Sequence, residues 1–241
     1  MSSLAERLDE AQRTRTAIAQ VVSQSGADAD EAYRIQEALV ARRVSRGERL
    51  VGIKLGLTSR AKMTQVGVDQ VIWGRLTDAM RIDDGGALDT GRYIHPRVEP
   101  EVAFRLDATG AASAVAPALE ILDSRYAGFK FALPDVIADN TSAAAFVIGA
   151  WQPLPAGLDN LGVLLEVDGR IAQIGSTAAI LGDPRRAITA AVTLASCAGV
   201  PPQDGWVLLA GAATAAVPLA PGAHVRAVVE GLGTASLRAL S

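Results

Sequence analysis

His95-Pro96-Arg97-Val98-Glu99-Pro100-Glu101-Val102-Ala103-Phe104 alternates in character along its length. Read as a strand, its side chains fall on two faces. Arg97, Glu99, Glu101 and Ala103 share one; Val98, Pro100, Val102 and Phe104 share the other, which is apolar. Two carboxylates at i and i+2 stand roughly 7 Å apart by strand rise. Beside an apolar layer, such neighbours resist joint ionisation. They either face water or share a hard divalent cation such as Mg²⁺ or Mn²⁺, which takes carboxylate oxygens. A third acid lies in Val115-Ala116-Pro117-Ala118-Leu119-Glu120-Ile121-Leu122, apolar on both faces except at Glu120. That pattern is a buried strand. A buried glutamate needs a partner or a metal. Glu120 therefore either joins Glu99 and Glu101 around one cation or pairs with Arg97 or Arg125.

Around these strands, a chain of 241 residues suits one sizeable core. A net charge of −3 offers no electrostatic case for nucleic acid. No apolar stretch is long enough to span a bilayer, and the charged N-terminus lacks a signal-peptide core. Cys197 is the single cysteine, which excludes an intrachain disulfide and fits a reducing compartment, the cytoplasm.

Residues 1–49 read as an N-terminal helical segment. Ser3 and Glu6 form a capping-box pattern, apolar positions from Leu4 to Val22 continue it, and Gly26 ends the first helix. Asp28 and Glu31 start a second, which Gly47 stops. Residues 50–241 read as the body. Leu50-Val51-Gly52-Ile53-Lys54-Leu55-Gly56 is a strand with Lys54 between glycines, leaving room for a ligand at the backbone or simply a solvent-facing lysine. Thr58 or Ser59 caps a short helix ending at Gly67, and Trp73-Gly74-Arg75 lies in a connection, either a lid or a packed loop. Asp168-Gly169 between two apolar runs is a type I′ hairpin signal. Asp183-Pro184 opens a helix closed by Gly199, and strands follow to the C-terminus. Strands dominate without regular βαβ alternation, which favours an α+β body with a mixed sheet. There is no GxGxxG, P-loop or GxSxG motif.

In order along the chain, GIKLGLTSRAKMTQVGVDQ, GRLTDAM, HPRVEPEVAF, PALEILDSRY, FKFALPDVIADNTS, GSTAAILGDP and TAAVPLAPG resemble the fumarylacetoacetate hydrolase superfamily. The resemblance is to its branch of 2-keto-4-pentenoate hydratases and 4-oxalocrotonate (2-oxo-3-hexenedioate) decarboxylases, and it covers residues from about 30 to the end. It implies a mixed β-roll with Mg²⁺ or Mn²⁺ on Glu99, Glu101 and Glu120. It further implies Lys54 as proton shuttle, Asp78 as a second catalytic group, and Ser176 and Thr214 in substrate-pocket loops. His95 and the SRYAGFKFALPDVIADN run lean toward the decarboxylases. Only residues 105–114 separate the two acid-bearing strands, where relatives carry a longer loop and helix.

The implied reaction is loss of CO₂ from 2-oxo-3-hexenedioate to give 2-hydroxypenta-2,4-dienoate, with Arg75, Lys130 or His95 orienting the distal carboxylate of the 2-oxo acid. The alternatives are hydration of that dienoate, C–C hydrolysis of an acylpyruvate, and a non-catalytic partner subunit. Resemblance also implies a homo-oligomer and a complex with a paired hydratase.

Overall fold

The computed structural model describes residues 3–59, 63–64 and 70–241. The short helix expected between Thr58 and Gly67 falls mostly outside them. Helix α1 (Leu4–Thr14) carries the Ser3–Glu6 capping box but stops at Arg15, which turns left-handed at φ 56°. The first helix therefore does not run to Gly26. Ile18 instead bridges to Tyr126. The backbone N–H groups of Val22 and Ser23 donate to Asp135 Oδ1 at 3.0 Å each. The apolar spacing after Thr14 marks contacts made by an irregular connection that ends in a single 3-10 turn, Ser23–Ser25. Helix α2 (Ala29–Ser45) starts where Asp28 accepts the Glu31 N–H at 2.9 Å. Two further α-helices lie wholly within the described residues, α3 (Leu133–Ala138) and α4 (Arg185–Cys197).

Strands β1 (Leu50–Gly56), β2 (Ile72–Thr77), β3 (Arg81–Ile82), β4 (Gly86–Asp89), β5 (Arg97–Leu106), β6 (Ala112–Leu122) and β7 (Ala143–Ile148) come first. Then follow β8 (Gly162–Val167), β9 (Arg170–Ser176), β10 (Val207–Ala212), β11 (Val217–Pro218), β12 (His224–Val229) and β13 (Gly233–Leu240). One sheet runs β2-β1-β10-β5-β6-β7-β3, with β11 added to β5; the second runs β4-β13-β12-β8-β9. Both are mixed: β1–β10, β3–β7 and β4–β13 are parallel and the other pairs antiparallel. This is the expected α+β mixed β-roll with helices at its N-terminal end. Trp73-Gly74-Arg75 is not a loop but the middle of the fully buried β2. Asp168 and Gly169 both have positive φ, 52° and 72°, as the type I′ turn demands.

Alternation sorts the larger sheet into two environments. Val98, Leu119, Ile121 and Val147 pack outward against Leu165, Val225, Ala227 and Leu237 of the second sheet. Ala103, Ala118, Phe146 and Leu209 line the inner face. In flat geometry β1 and β6 would stand roughly 14 Å apart, three strand spacings. Lys54 of β1 nevertheless meets Glu120 of β6 at 3.0 Å, so the sheet curls around its inner face. Helix α2 covers the outer side at the β2 end. There Gln36 Nε2 donates to the carbonyls of Trp73 at 3.0 Å and Ile137 at 2.8 Å. Among the described residues no helix is long and apolar enough to cross a membrane.

Candidate metal centre and active site

Glu99 lies directly opposite Glu120 in the β5–β6 ladder, and Glu101 is one pleat further along. All three carboxylates point into the curl and are buried. Each offers an oxygen within 4.8 Å of the others. The Gly211 N–H donates to Glu101 Oε2 at 2.8 Å, which fixes that carboxylate from β10. Gly211 has φ +115°, and a Cβ there would lie 2.1 Å from Thr58 Oγ1, so only glycine presents this N–H. Glu101 Oε1 and Glu120 Oε2 have no hydrogen-bond partner among the described residues. Buried carboxylate oxygens without donors are costly. Three converging hard oxygens are the donor set Mg²⁺ or Mn²⁺ takes, so these residues fit such a cation.

Lys54 joins the acids on the inner face. Its Nζ ion-pairs with Glu120 Oε1 at 3.0 Å and donates to the Thr141 carbonyl at 3.1 Å. Lys54 is itself buried, so the solvent-facing alternative does not hold. Its flanking glycines serve the fold rather than a ligand: a Cβ on Gly52 would strike the Val207 carbonyl at 2.1 Å, and one on Gly56 would meet Ile72. Burial, then Glu120 and Glu99, hold the Glu101 carboxyl well above its ordinary range, while Lys54 pulls it back. Burial also raises Glu120, against the opposing pull of Lys54. A divalent cation would add positive charge to these three buried carboxylates beyond that of Lys54.

Glu120 pairs with neither arginine proposed for it. Arg125 is buried against Asp139, to which its Nε donates, and its Nη1 donates to the Asp123 carbonyl at 2.8 Å. Burial pushes Asp139 up to about 6 against the pull of that guanidinium.

The remaining candidates divide sharply. Thr214 follows β10, and the preceding Ala213 N–H donates to the Pro100 carbonyl at 3.0 Å, which brings the threonine beside the acid strand. A Cβ on Gly175 would lie 2.3 Å from the Ala213 carbonyl, so the Ser176 loop packs on the same segment. The Ser176 hydroxyl, however, donates to Asn160 Oδ1 at 2.7 Å and accepts the Ala178 N–H at 3.1 Å, a local cap. His95 stands at the start of β5, its backbone N–H donating to Asp123 Oδ1 at 2.8 Å. Lys130 is exposed.

Two expectations are corrected. Arg75 sits opposite Ile53, whereas Gly74 sits opposite Lys54, so alternation sends Arg75 to the outer face. It stacks 4.6 Å over the Trp73 ring and donates from Nη1 to Gln36 Oε1 at 2.7 Å, beneath α2. It cannot orient a substrate on the inner face. Asp78 ends β2 at the surface, with its side chain 32% exposed and bonded to Arg49 Nε at 2.9 Å. Four residues, roughly 13 Å of strand, separate it from Gly74 beside Lys54. Sequence reading missed the Thr141 carbonyl. Asn140, Thr141 and Ser142 all have positive φ, at 49°, 51° and 60°, and this left-handed run aims that carbonyl at Lys54. The turn-forming Asn-Thr-Ser was its only trace in the sequence.

Fold and site together define a class: a mixed β-roll that gathers three carboxylates and a lysine in a dry interior suited to a hard divalent cation. No family model matches the chain. It is 49% identical to a 4-oxalocrotonate decarboxylase of a Pseudomonas species over 98% of this chain and 96% of that one. It is 35% identical to a 2-hydroxyhexa-2,4-dienoate hydratase of Comamonas testosteroni over 87% and 85%. Its structure superposes with a TM-score of 0.91 on 4-oxalocrotonate decarboxylase from Pseudomonas putida G7 complexed with magnesium and adipate, at 34% identity, covering 98% and 96% of the two chains. The chain belongs to the branch of the fumarylacetoacetate hydrolase superfamily that holds the 4-oxalocrotonate decarboxylases and the 2-keto-4-pentenoate hydratases.

Proposed function

We propose that the protein is a carbon–carbon lyase that decarboxylates 2-oxo-3-hexenedioate to 2-hydroxypenta-2,4-dienoate. The observation that carries this reading is the buried Glu99–Glu101–Glu120 cluster with Lys54 against it, set in a chain 49% identical to a decarboxylase of that name. Glu99, Glu101 and Glu120 would hold Mg²⁺ or Mn²⁺. When bound, such an ion supplies Lewis acidity toward the oxygens of a 2-oxo acid.

The chain's own residues do the rest. The Gly211 N–H keeps Glu101 in place. Phe146, Leu209 and Ala103 keep bulk water from the reacting carbons. The C5–C6 bond breaks and its electron pair becomes the C4–C5 double bond. The C3–C4 pair shifts to C2–C3, and the ketone pair moves onto the C2 oxygen. Lys54 Nζ, held between Glu120 and the Thr141 carbonyl, delivers a proton to that oxygen and is reprotonated from solvent. Atoms and charge balance: the dianion and one proton give CO₂ and the enol monoanion. Asp78 and Arg75 take no part.

The family resemblance extends the proposal to a homo-oligomer in the cytoplasm that pairs with a hydratase consuming the dienoate. The test is an assay with Mg²⁺ or Mn²⁺, offering 2-oxo-3-hexenedioate and, separately, 2-hydroxypenta-2,4-dienoate. Metal-dependent CO₂ release from the first is expected. Consumption of the second alone would overturn the reading in favour of a hydratase, the activity named for the 35% identical relative.

A further inference from the structure

Among the described residues, Arg75 lies on the outer face and Lys130 is exposed, so neither stands at the acid cluster. Arg97 is the first residue of β5 and shares the inner face with Glu99 two residues on. It is half-buried, and its guanidinium lies 4.6 Å over the Phe129 ring. Among the described residues it has neither an ion-pair nor a hydrogen-bond partner, whereas Arg125 is paired to Asp139. On the same ring, 4.7 Å from its centroid, rests His95. The His95 Nε2 atom is buried and without a partner among the described residues. One aromatic platform thus carries a guanidinium and a buried imidazole nitrogen that have no protein partner among the described residues, one pleat from the acid cluster.

We infer that Arg97 and His95, seated on Phe129, form the subsite that binds the distal carboxylate and so selects dicarboxylates over monocarboxylates. This rests on the decarboxylase reading for the placement of the 2-oxo end at the acids. Distances agree. Arg97 and Glu99 stand roughly 7 Å apart along the strand, and five carbon–carbon bonds of about 1.5 Å span roughly 6 Å end to end in extended form. Chemistry agrees as well. The ring fixes the guanidinium plane and leaves its N–H fork free for a carboxylate. The His95 Nε2, when it carries a proton, adds one more donor. The charge on that carboxylate disappears as CO₂ forms, so the contact strengthens ground-state binding more than the transition state. It belongs in KM rather than kcat.

The experiment uses the full chain loaded with Mg²⁺, with loading verified for each variant. Calorimetry compares adipate with hexanoate, which has the same chain and one carboxylate, for wild type, R97M, H95Q and the double variant. R97K serves as the charge-conserving control. Wild type is expected to prefer adipate. The double variant is expected to lose about tenfold or more of that preference, with hexanoate affinity kept within about threefold. R97K is expected to retain part of it. A double variant that keeps the preference, or that loses both ligands equally, overturns the subsite, as does a wild type that binds the two ligands alike. Turnover separates this from the parent reading. If wild type prefers adipate through Arg97 and His95 but releases no CO₂ from 2-oxo-3-hexenedioate, the subsite stands and the decarboxylase assignment falls.

Discussion

Lys54 and Arg75 are buried cations on adjacent, paired strands, and their surroundings have little in common. Lys54 faces inward, 3.0 Å from the Glu120 carboxylate, in a cluster of three buried carboxylates. Arg75 faces outward, with an amide oxygen and an indole ring in place of a counter-ion, and burial lowers its pKa. One step of strand alternation separates the two roles. The inner cation sits where charge must be rearranged during a reaction. The outer one ties α2 to β2.

The comparison breaks first at the acids. E101A or E120A should remove a metal ligand and cost about a thousandfold or more in metal-dependent turnover. Calorimetric titration with Mn²⁺ should show the matching loss of binding. On the proposed mechanism, in which the lysine moves a proton and contributes no ligand atom, K54M should cut turnover about a hundredfold while Mn²⁺ still binds. R75M should do the reverse. It leaves Gln36 Oε1 unpaired and should destabilise by about 1–3 kcal/mol in denaturant melts, with turnover of the folded enzyme within about threefold of wild type.

The acids also give the metal-free protein a pH dependence. The folded Glu101 carboxyl lies well above its ordinary 4.5, so the folded state holds that proton more tightly than the unfolded one. Its contribution to stability is complete below the ordinary value and is lost as pH rises through the raised folded value. Metal-free protein should therefore melt lower as pH climbs from 4.5 upward, and E101Q should flatten that slope. Wild type and E101Q sharing one pH profile would show that this carboxyl does not govern it. The smallest effect belongs to Asp78: D78N should leave turnover within about twofold, because an exposed ion pair contributes little.

What the sequence revealed followed from periodicity. β1 matched to the residue because its glycines and alternating aliphatics admit one reading. The faces of β5 and β6 followed from their alternation, which left Glu120 either with Glu99 and Glu101 or with an arginine; the ladder puts it opposite Glu99. The errors arose where two patterns compete. Ile18, Val21 and Val22 keep helical spacing, yet Arg15 ends α1 and those side chains pack from an irregular connection. Trp73-Gly74-Arg75 looked like a loop because glycine and a charge conceal a strand, and without that strand the face of Arg75 was not legible. The Thr141 carbonyl was invisible because it depends on three left-handed residues, a backbone property that side-chain chemistry only hints at.

Glu99 stands directly across from Glu120, and that register has a consequence for how such a protein can diverge. A slip of one residue between β5 and β6 would carry a whole set of side chains from the interior to the opposite layer, so the arrangement admits no gradual variation. It is inherited whole or lost. Arg97 lies at the strand's end against Phe129, where exchanges of side chain leave the register untouched. Selection can then change which molecules enter without disturbing what holds their reactive end. Relatives named as decarboxylases and as hydratases, at 49% and 35% identity to this chain, are what such a division of labour would leave behind.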